Sequence, residues 1–298
     1  MFWENSRSLG IHCLGSSLFL AVLEKKSKNT IEPLHLIEGK LPTVFHSHSL
    51  KDDSVRHGIA ELIIDIIEEN NINFGSTCMA LHPTAVLVRR SSTSLGDSKE
   101  IREHLRWESM TMLDAKDDSL MVDFFSVRDW VFSVGVREEV LCHYRDIARF
   151  VKIKKFNMDV PHLALYNSIY DTGLFSLSGA QILIYIGEGV GFVVLICEGE
   201  VVQIGTYKNE PEDSFSQSLE QGVLSIVQDL GKPIEDVFYA GNIFEADIQG
   251  FSDKLGANPF ILDPLGPKKQ SITNRDEVSE LNSQFAIAIG LAKRELIH

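Results

Sequence analysis

Gln181 to Tyr207 reads Q-I-L-I-Y-I-G-E-G-V-G-F-V-V-L-I-C-E-G-E-V-V-Q-I-G-T-Y, and this stretch restricts the fold more than any other. An apolar run from Ile182 to Ile186 leads into Gly187, Gly189 and Gly191. A second run, Phe192 to Cys197, ends at Glu198-Gly199, and a third strand-like run follows. Short β-branched runs punctuated by glycine predict a buried three-strand meander. The N-terminus repeats the design more loosely: Leu9 to Leu14, Gly15-Ser16-Ser17, Leu18 to Leu23, and a further strand over Leu34 to Leu41. Two copies of one plan, about 170 residues apart, predict a chain built from two related halves.

The stretches between the meanders extend the parallel. Val55 to Glu69 carries Ile59, Leu62, Ile63, Ile66 and Ile67 at helical spacing and stops at Asn70-Asn71. Thr77 to Leu81 then reads as a strand. From Ala85 the texture changes. A strand to Arg90, a helix from Ser98 to about Leu113 and a hairpin of Ser119 to Val127 with Val131 to Val136 form an inserted unit over about 84–136. A helix from Glu138 to Val151, a strand from Ile153 to Val160 and a helix opened by Pro161 complete the first half. Asp171 to Gly179 is the expected boundary, giving domains at 1–172 and 180–298. After its meander the second half predicts a helix over 212–230, a strand over Glu235 to Ala240 and a helix over 245–255. A strand from Asn258, a surface loop over 263–276 and one closing helix from Val278 to Leu296 follow.

Bulk composition excludes several classes. The net charge of −14 argues against general affinity for nucleic acid, which needs clustered Lys and Arg. No apolar stretch approaches the roughly 20 residues that cross a bilayer, and the first residues lack a secretory pattern. A cytoplasmic protein without direct membrane insertion is expected. Cys13, Cys78, Cys142 and Cys197 lack metal-ligand or C-x-x-C spacing and are expected as buried reduced thiols. His46 and His48, the one close histidine pair, have no further ligand at suitable spacing, so no metal site is expected.

Two copies of β-β-β-α-β-α, the first carrying an insertion, form the plan of the duplicated actin-like, ribonuclease H-like α/β fold. The inserted text H-L-R-W-E-S-M-T-M-L (His104 to Leu113) followed by V-D-F-F-S-V (Val122 to Val127) resembles the PilM family of type IV pilus assembly proteins. That family reads I-R-W-E-A-E-Q-Y-I-P and L-D-Y-Q-V there. Cys78 to Arg90, Val131 to Val140, Asn157 to Leu165 and Phe285 to Arg294 resemble further family blocks in the same order, so the resemblance spans nearly the whole chain.

The resemblance also locates a nucleotide site, and there the motifs fail. PilM relatives read G-I-D-I-G-S-S in the first half and L-V-D-I-G in the second, with turn amides for phosphate and aspartates for magnesium. Here His12 and Tyr185 stand at the two aspartate positions. Neither offers a carboxylate to magnesium. The resemblance maps Gly15, Ser16, Ser17, Gly187, Glu188, Gly189, Gly191, Gly241 and Asn242 onto nucleotide-binding positions, the last two from a G-G-G turn that keeps one glycine. The same glycines also read as plain hairpin formers, and Glu188, one step beyond Gly187, is not equivalent to the missing aspartate. Arg89 and Arg90 read as strand-end charges on a solvated face, and Trp107 as a buried anchor of the insertion, with Arg106 and Glu108 holding its neighbours.

No catalytic motif is present: no G-x-S-x-G, H-E-x-x-H or Walker lysine. The resemblance therefore implies a non-enzymatic scaffold with no cofactor, ATP binding being weak or absent. It implies docking on the cytoplasmic tail of a PilN-like bitopic inner-membrane protein, in a groove beside the insertion, with pilus motor or platform proteins as further partners. The rival readings are a nucleotide-binding ATPase or small-molecule kinase of the same superfold, and a scaffold of some other secretion or motility machine.

Overall fold

A computed structural model describes residues 6–27, 30–92, 97–113, 119–127, 130–169, 172–176, 179–208, 215–228, 230–242, 248–266, 270–271 and 277–297. The first strand run, β1 (Arg7–Ser27), is followed by β2 (Thr30–Phe45), α1 (Asp53–Glu69) and β3 (Ser76–Ala80). The Lys25 N–H donates to Ser6 O at 2.7 Å, and Arg7 Nε donates to Glu24 at 2.8 Å. An unbroken strand would separate Ser6 from Lys25 by roughly 60 Å, at about 3.3 Å per residue. The run therefore doubles back about Gly15–Ser16 and supplies two strands, as the Gly15-Ser16-Ser17 pattern predicts.

The insertion follows: β4 (Val86–Ser92), α2 (Ser98–Leu113), β5 (Leu120–Val127) and β6 (Trp130–Arg137) form a separate sheet in the order β4-β6-β5. The first half closes with α3 (Glu138–Val151), β7 (Phe156–Asp159) and α4 (Pro161–Ser168). The second half contains β8 (Ala180–Gly187), β9 (Val190–Cys197), β10 (Glu200–Lys208), α5 (Phe215–Gln228), β11 (Ile234–Gly241), α6 (Ile248–Leu255) and β12 (Asn258–Ile261). It ends with β13 (Gln270–Ser271), α7 (Glu277–Gln284) and α8 (Ala286–Ile297).

The two main sheets match. The first runs β2-β1-β3-β7, with the opening limb of β1 parallel to β3 and β3 parallel to β7. The second runs β10-β9-β8-β11-β12-β13, with β8, β11 and β12 parallel. Once β1 is counted as two limbs, the five strands of the first sheet match the first five of the second in order and sense, and the short antiparallel β13 is an addition. The α/β duplication read from the sequence is present.

Each half keeps its own core. Ile11, Leu20, Ile63 and Tyr144 belong to the first, and Ile184, Val193, Val223 and Tyr239 to the second. A third cluster joins the halves through Leu14, Leu165, Tyr185, Phe192 and Leu291. Helix α8 lies on the first sheet although its sequence belongs to the second half, and α4 reaches from the first half onto β8, β9 and β10. Glycine allows both approaches. A Cβ at Gly10 would sit 1.9 Å from Ala288 O, and one at Gly290 would sit 1.7 Å from Ala164 O.

Three expectations need correction. The closing helix is two helices, broken at Phe285, whose ring is buried edge-on against Phe19 at 5.4 Å. The loop over 263–276 includes the short strand β13 paired with β12, while 267–269 and 272–276 lie outside the described residues. Cys142 is exposed, in contrast to the buried Cys13, Cys78 and Cys197. The expected helix starts at 212 and 245 also lie outside the described residues. Among the described residues no helix is long and apolar enough to cross a membrane.

Candidate functional site

The two matching hairpins point their turns at each other. In the first, Gly15 has φ +56°. In the second, Gly187 pairs with Val190 across a two-residue turn of Glu188 and Gly189, and Gly189 has φ +69°. Such turns need a residue that tolerates positive φ, which glycine supplies without steric cost. Gly241, at the end of β11, has φ +80°, and a Cβ there would lie 2.2 Å from Ile186 O. The next amide, Asn242 N–H, donates to that same oxygen at 2.7 Å.

A cleft of about 530 Å³ lies between these turns, and Ser16, Ser17, Gly187, Glu188, Gly241 and Asn242 all line it. Six of the nine positions mapped from sequence thus meet. Gly15 lies directly behind Glu188, Gly189 is at an open hairpin tip, and Gly191 sits back in β9 opposite Ile186.

The donors of the first turn are already engaged. Ser16 N–H donates to Glu188 Oε2 at 2.7 Å, and the Ser16 hydroxyl donates to the same oxygen at 3.0 Å. The Ser17 hydroxyl donates to Glu38 Oε1 at 2.8 Å. Glu38, on β2, had no signal in the sequence, because it is one of several charged residues on a half-exposed strand. Among the described residues no Lys or Arg lines the cleft.

Beneath the turns, the two positions expected to be acidic hold an aromatic contact. His12 meets the edge of Tyr185 with ring centroids 5.6 Å apart and stacks on Phe19 at 6.1 Å. Tyr185 stacks on Phe192 at 5.5 Å, and its hydroxyl donates to Gln284 O at 3.3 Å. Burial, followed by the field of His82, lowers the His12 pKa to about 3, so the imidazole is neutral near pH 7. Burial, aided by Glu38, pushes the Tyr185 phenol up, so it stays protonated. A magnesium nucleotide brings several negative phosphates and requires oxygen ligands on the metal. Among its described residues this cleft offers it neutral rings, two carboxylates already bound to the turn, and no cation. The donor set does not fit that group.

A larger cavity of about 1000 Å³ lies beside the inserted sheet. Phe125 and Val127 of β5, Met158 of β7, Leu163 of α4 and Val201 of β10 give it apolar walls. Asp159 and Arg294 stand on its lining, with Arg294 Nε 3.1 Å from Asp159 Oδ2. Burial raises the Asp159 pKa to about 6 against the pull of Arg294. No local pattern announces this pair, since its members lie 135 positions apart on β7 and α8.

The insertion corrects two further expectations. Arg90 is no solvated strand end: Nη1 donates to Val202 O at 2.7 Å in the second half, and its guanidinium lies 4.1 Å over the Trp130 ring. Trp107 is 64% exposed and faces outward from α2. Glu108 does hold its neighbours, accepting from Ser91 Oγ at 3.3 Å and lying 3.7 Å from Arg89.

No family model matches the chain, and no curated protein matches it. Solved structures do. The structure described as a PilM-PilN type IV pilus biogenesis complex superposes with a TM-score of 0.73 at 16% identity, covering 97% of this chain and 98% of that one. A protein of Bacteroides thetaiotaomicron, described as having an actin-like ATPase fold and unknown function, gives 0.54 at 9% identity, over 88% and 93%. This chain has the actin-like ATPase fold. The cytoplasmic domain of EpsL, an inner-membrane component of the type II secretion system of Vibrio cholerae, also superposes, at 0.53 with 12% identity over 95% of both chains. At such identities the likeness extends to the actin-like architecture. Residue roles rest on the geometry above.

Proposed function

We propose that this chain is a PilM-like scaffold of a type IV pilus or related secretion platform, and not an ATPase. It sits on the cytoplasmic side of the inner membrane by docking on the short cytoplasmic tail of a PilN-like bitopic protein. The observation that carries this reading is a contrast between two cavities. In the cleft between the hairpin turns the serine donors are engaged by the chain's own carboxylates, Glu188 and Glu38, and His12 meets Tyr185 where the resemblance would place carboxylates. The groove beside the insertion is open, larger and walled by Phe125, Val127, Met158 and Leu163, with charged groups at its margin. An extended tail with apolar side chains suits such a groove. The likeness in shape to a PilM-PilN complex and to the EpsL cytoplasmic domain supports this assignment.

Two calorimetric titrations test it. The first adds ATP, with and without magnesium, to the native chain and to the His12→Asp/Tyr185→Asp variant; no heat is expected from the native chain. Micromolar ATP binding there would replace the scaffold reading with a nucleotide-binding one. The second adds a synthetic peptide of the cytoplasmic tail of the PilN-like protein encoded in the same genome. Binding is expected to weaken at least about tenfold in Val127→Asp, since a buried carboxylate in an apolar wall is costly. A folded native chain that ignores this peptide would end the docking proposal.

A further inference from the structure

We propose that the turn of β1 is an anion site whose resident ligand is the Glu188 carboxylate, and that this contact latches the two halves together. Two donors of one residue, the Ser16 amide and hydroxyl, converge on a single oxygen, Glu188 Oε2, at 2.7 and 3.0 Å. Bonds of this kind to an ionised acceptor are shorter and stronger than neutral ones. They link residues 172 positions apart, across the junction of the halves.

The backbone is shaped around this contact. A Cβ at Gly15 would fall 2.1 Å from Glu188 Oε2 and 2.6 Å from Glu188 Cβ, so only glycine at position 15 lets the carboxylate approach. The reciprocal fit stands beside it: a Cβ at Gly187 would fall 2.1 Å from Leu14 Cδ2. Each turn thus supplies one glycine and one side chain, and each side chain fills the space that the other turn's glycine leaves. An incidental surface contact would not require two glycines in register across the junction.

Without the Glu188 carboxylate, the turn keeps its amide and hydroxyl donors and gains room for a small oxyanion. Acetate reproduces the resident group, and inorganic phosphate offers the same chemistry with more charge. The inference rests on the proposed reading in that it takes the donors of the turn to be engaged by the protein itself.

The test is thermal unfolding of the native chain and Glu188→Ala in chloride, acetate and phosphate at equal ionic strength. The variant is expected to melt several degrees below the native chain in chloride and to recover part of that difference in acetate or phosphate, beyond the general salt shift that the native chain itself shows. Recovery with acetate alone or with phosphate as well tells which oxyanion the turn accepts. An unchanged melting temperature in Glu188→Ala would overturn the latch. A lowered one with no anion-specific recovery would overturn the site. If Glu188→Ala does not fold, Glu188→Ser opens nearly the same space with a residue that suits the turn, and it is read in the same way. ATP binding to the native chain would overturn the scaffold reading, whereas the anion response of the variant judges the latch alone.

Discussion

His12 shows what can be learned from one position. It lies in the opening limb of β1 at 1% exposure, and neither ring nitrogen has a partner among the described residues. A buried polar atom without a hydrogen bond costs about 1 to 3 kcal/mol. His12→Leu, close in volume and free of polar atoms, is expected to raise stability by about 1 to 2 kcal/mol, read as a higher urea midpoint with unchanged slope. A fall in midpoint would mean that the ring has a partner. The sequence alone showed that an aspartate position was occupied by something else. It could not show that Tyr185, 173 residues later, would complete the contact, nor that Glu38 and Glu188 would take the serine donors. Such pairings depend on how two sheets meet, and no local pattern records that. Trp107 failed for a related reason: helical spacing marks a stripe, and the stripe that α2 buries includes Leu105 and Ser109 instead.

Among the elements, α8 bears most on the junction, and its composition was the clearest hint of that. The text A-I-A-I-G-L-A buries Ala286 to Ala292 on all sides, because α8 touches both the first sheet and α4. Gly290→Ala sets two effects against each other. Helix propensity favours alanine by about 1 kcal/mol. The added Cβ would fall 1.7 Å from Ala164 O, a backbone atom that cannot yield without moving α4, and overpacking of this kind costs about 3 kcal/mol. The clash wins, so a net loss of about 2 kcal/mol is expected in urea unfolding. Lys293, on the same helix, is buried and donates to Ser168 O and Pro264 O at 2.8 Å each. Lys293→Met fills the space but strands both carbonyls, and a loss of about 2 to 4 kcal/mol is expected in the same assay. Stability equal to native in either variant would show that α8 has more freedom than its packing indicates. The helix break at Phe285 escaped prediction because the apolar periodicity runs on through it. At the break the Phe285 N–H donates to Asn282 O, three residues back, at 3.1 Å, and its ring is buried against Phe19.

For the whole molecule, the duplication was legible because glycine-punctuated meanders repeat in the text. The exchange of α4 and α8 between halves was not, since an amphipathic pattern says that a face is covered and not by what. Burial of histidines gives the molecule a pH profile. Burial lowers His12 to about 3, and His82 and His162 to about 4, from an ordinary 6.5. In each case the folded pKa lies below the unfolded one. The stabilising contribution of each is complete above about pH 6.5 and is lost as the pH falls toward 4, because the unfolded chain takes up a proton that the folded chain refuses. Asp159 acts in the opposite sense: its folded pKa of about 6 exceeds the ordinary 3.8, so its contribution is complete below 3.8 and is lost as the pH rises through 6. Near pH 5, three histidines favour protonation of the unfolded chain and one aspartate favours protonation of the folded one. A net uptake of about two protons on unfolding gives a slope of about 3 kcal/mol per pH unit. Against a typical domain stability of about 5 to 15 kcal/mol, the protein is expected to weaken steeply between pH 6 and 4.5. Urea unfolding at several pH values measures this directly. His12→Leu removes one of the three histidines and should cut the net slope near pH 5 to roughly half, even as it raises stability at pH 7. A native profile flat between pH 4.5 and 6.5 would mean that these histidines can take up protons in the folded chain, and that the packing around His12 is looser than its two ring contacts imply.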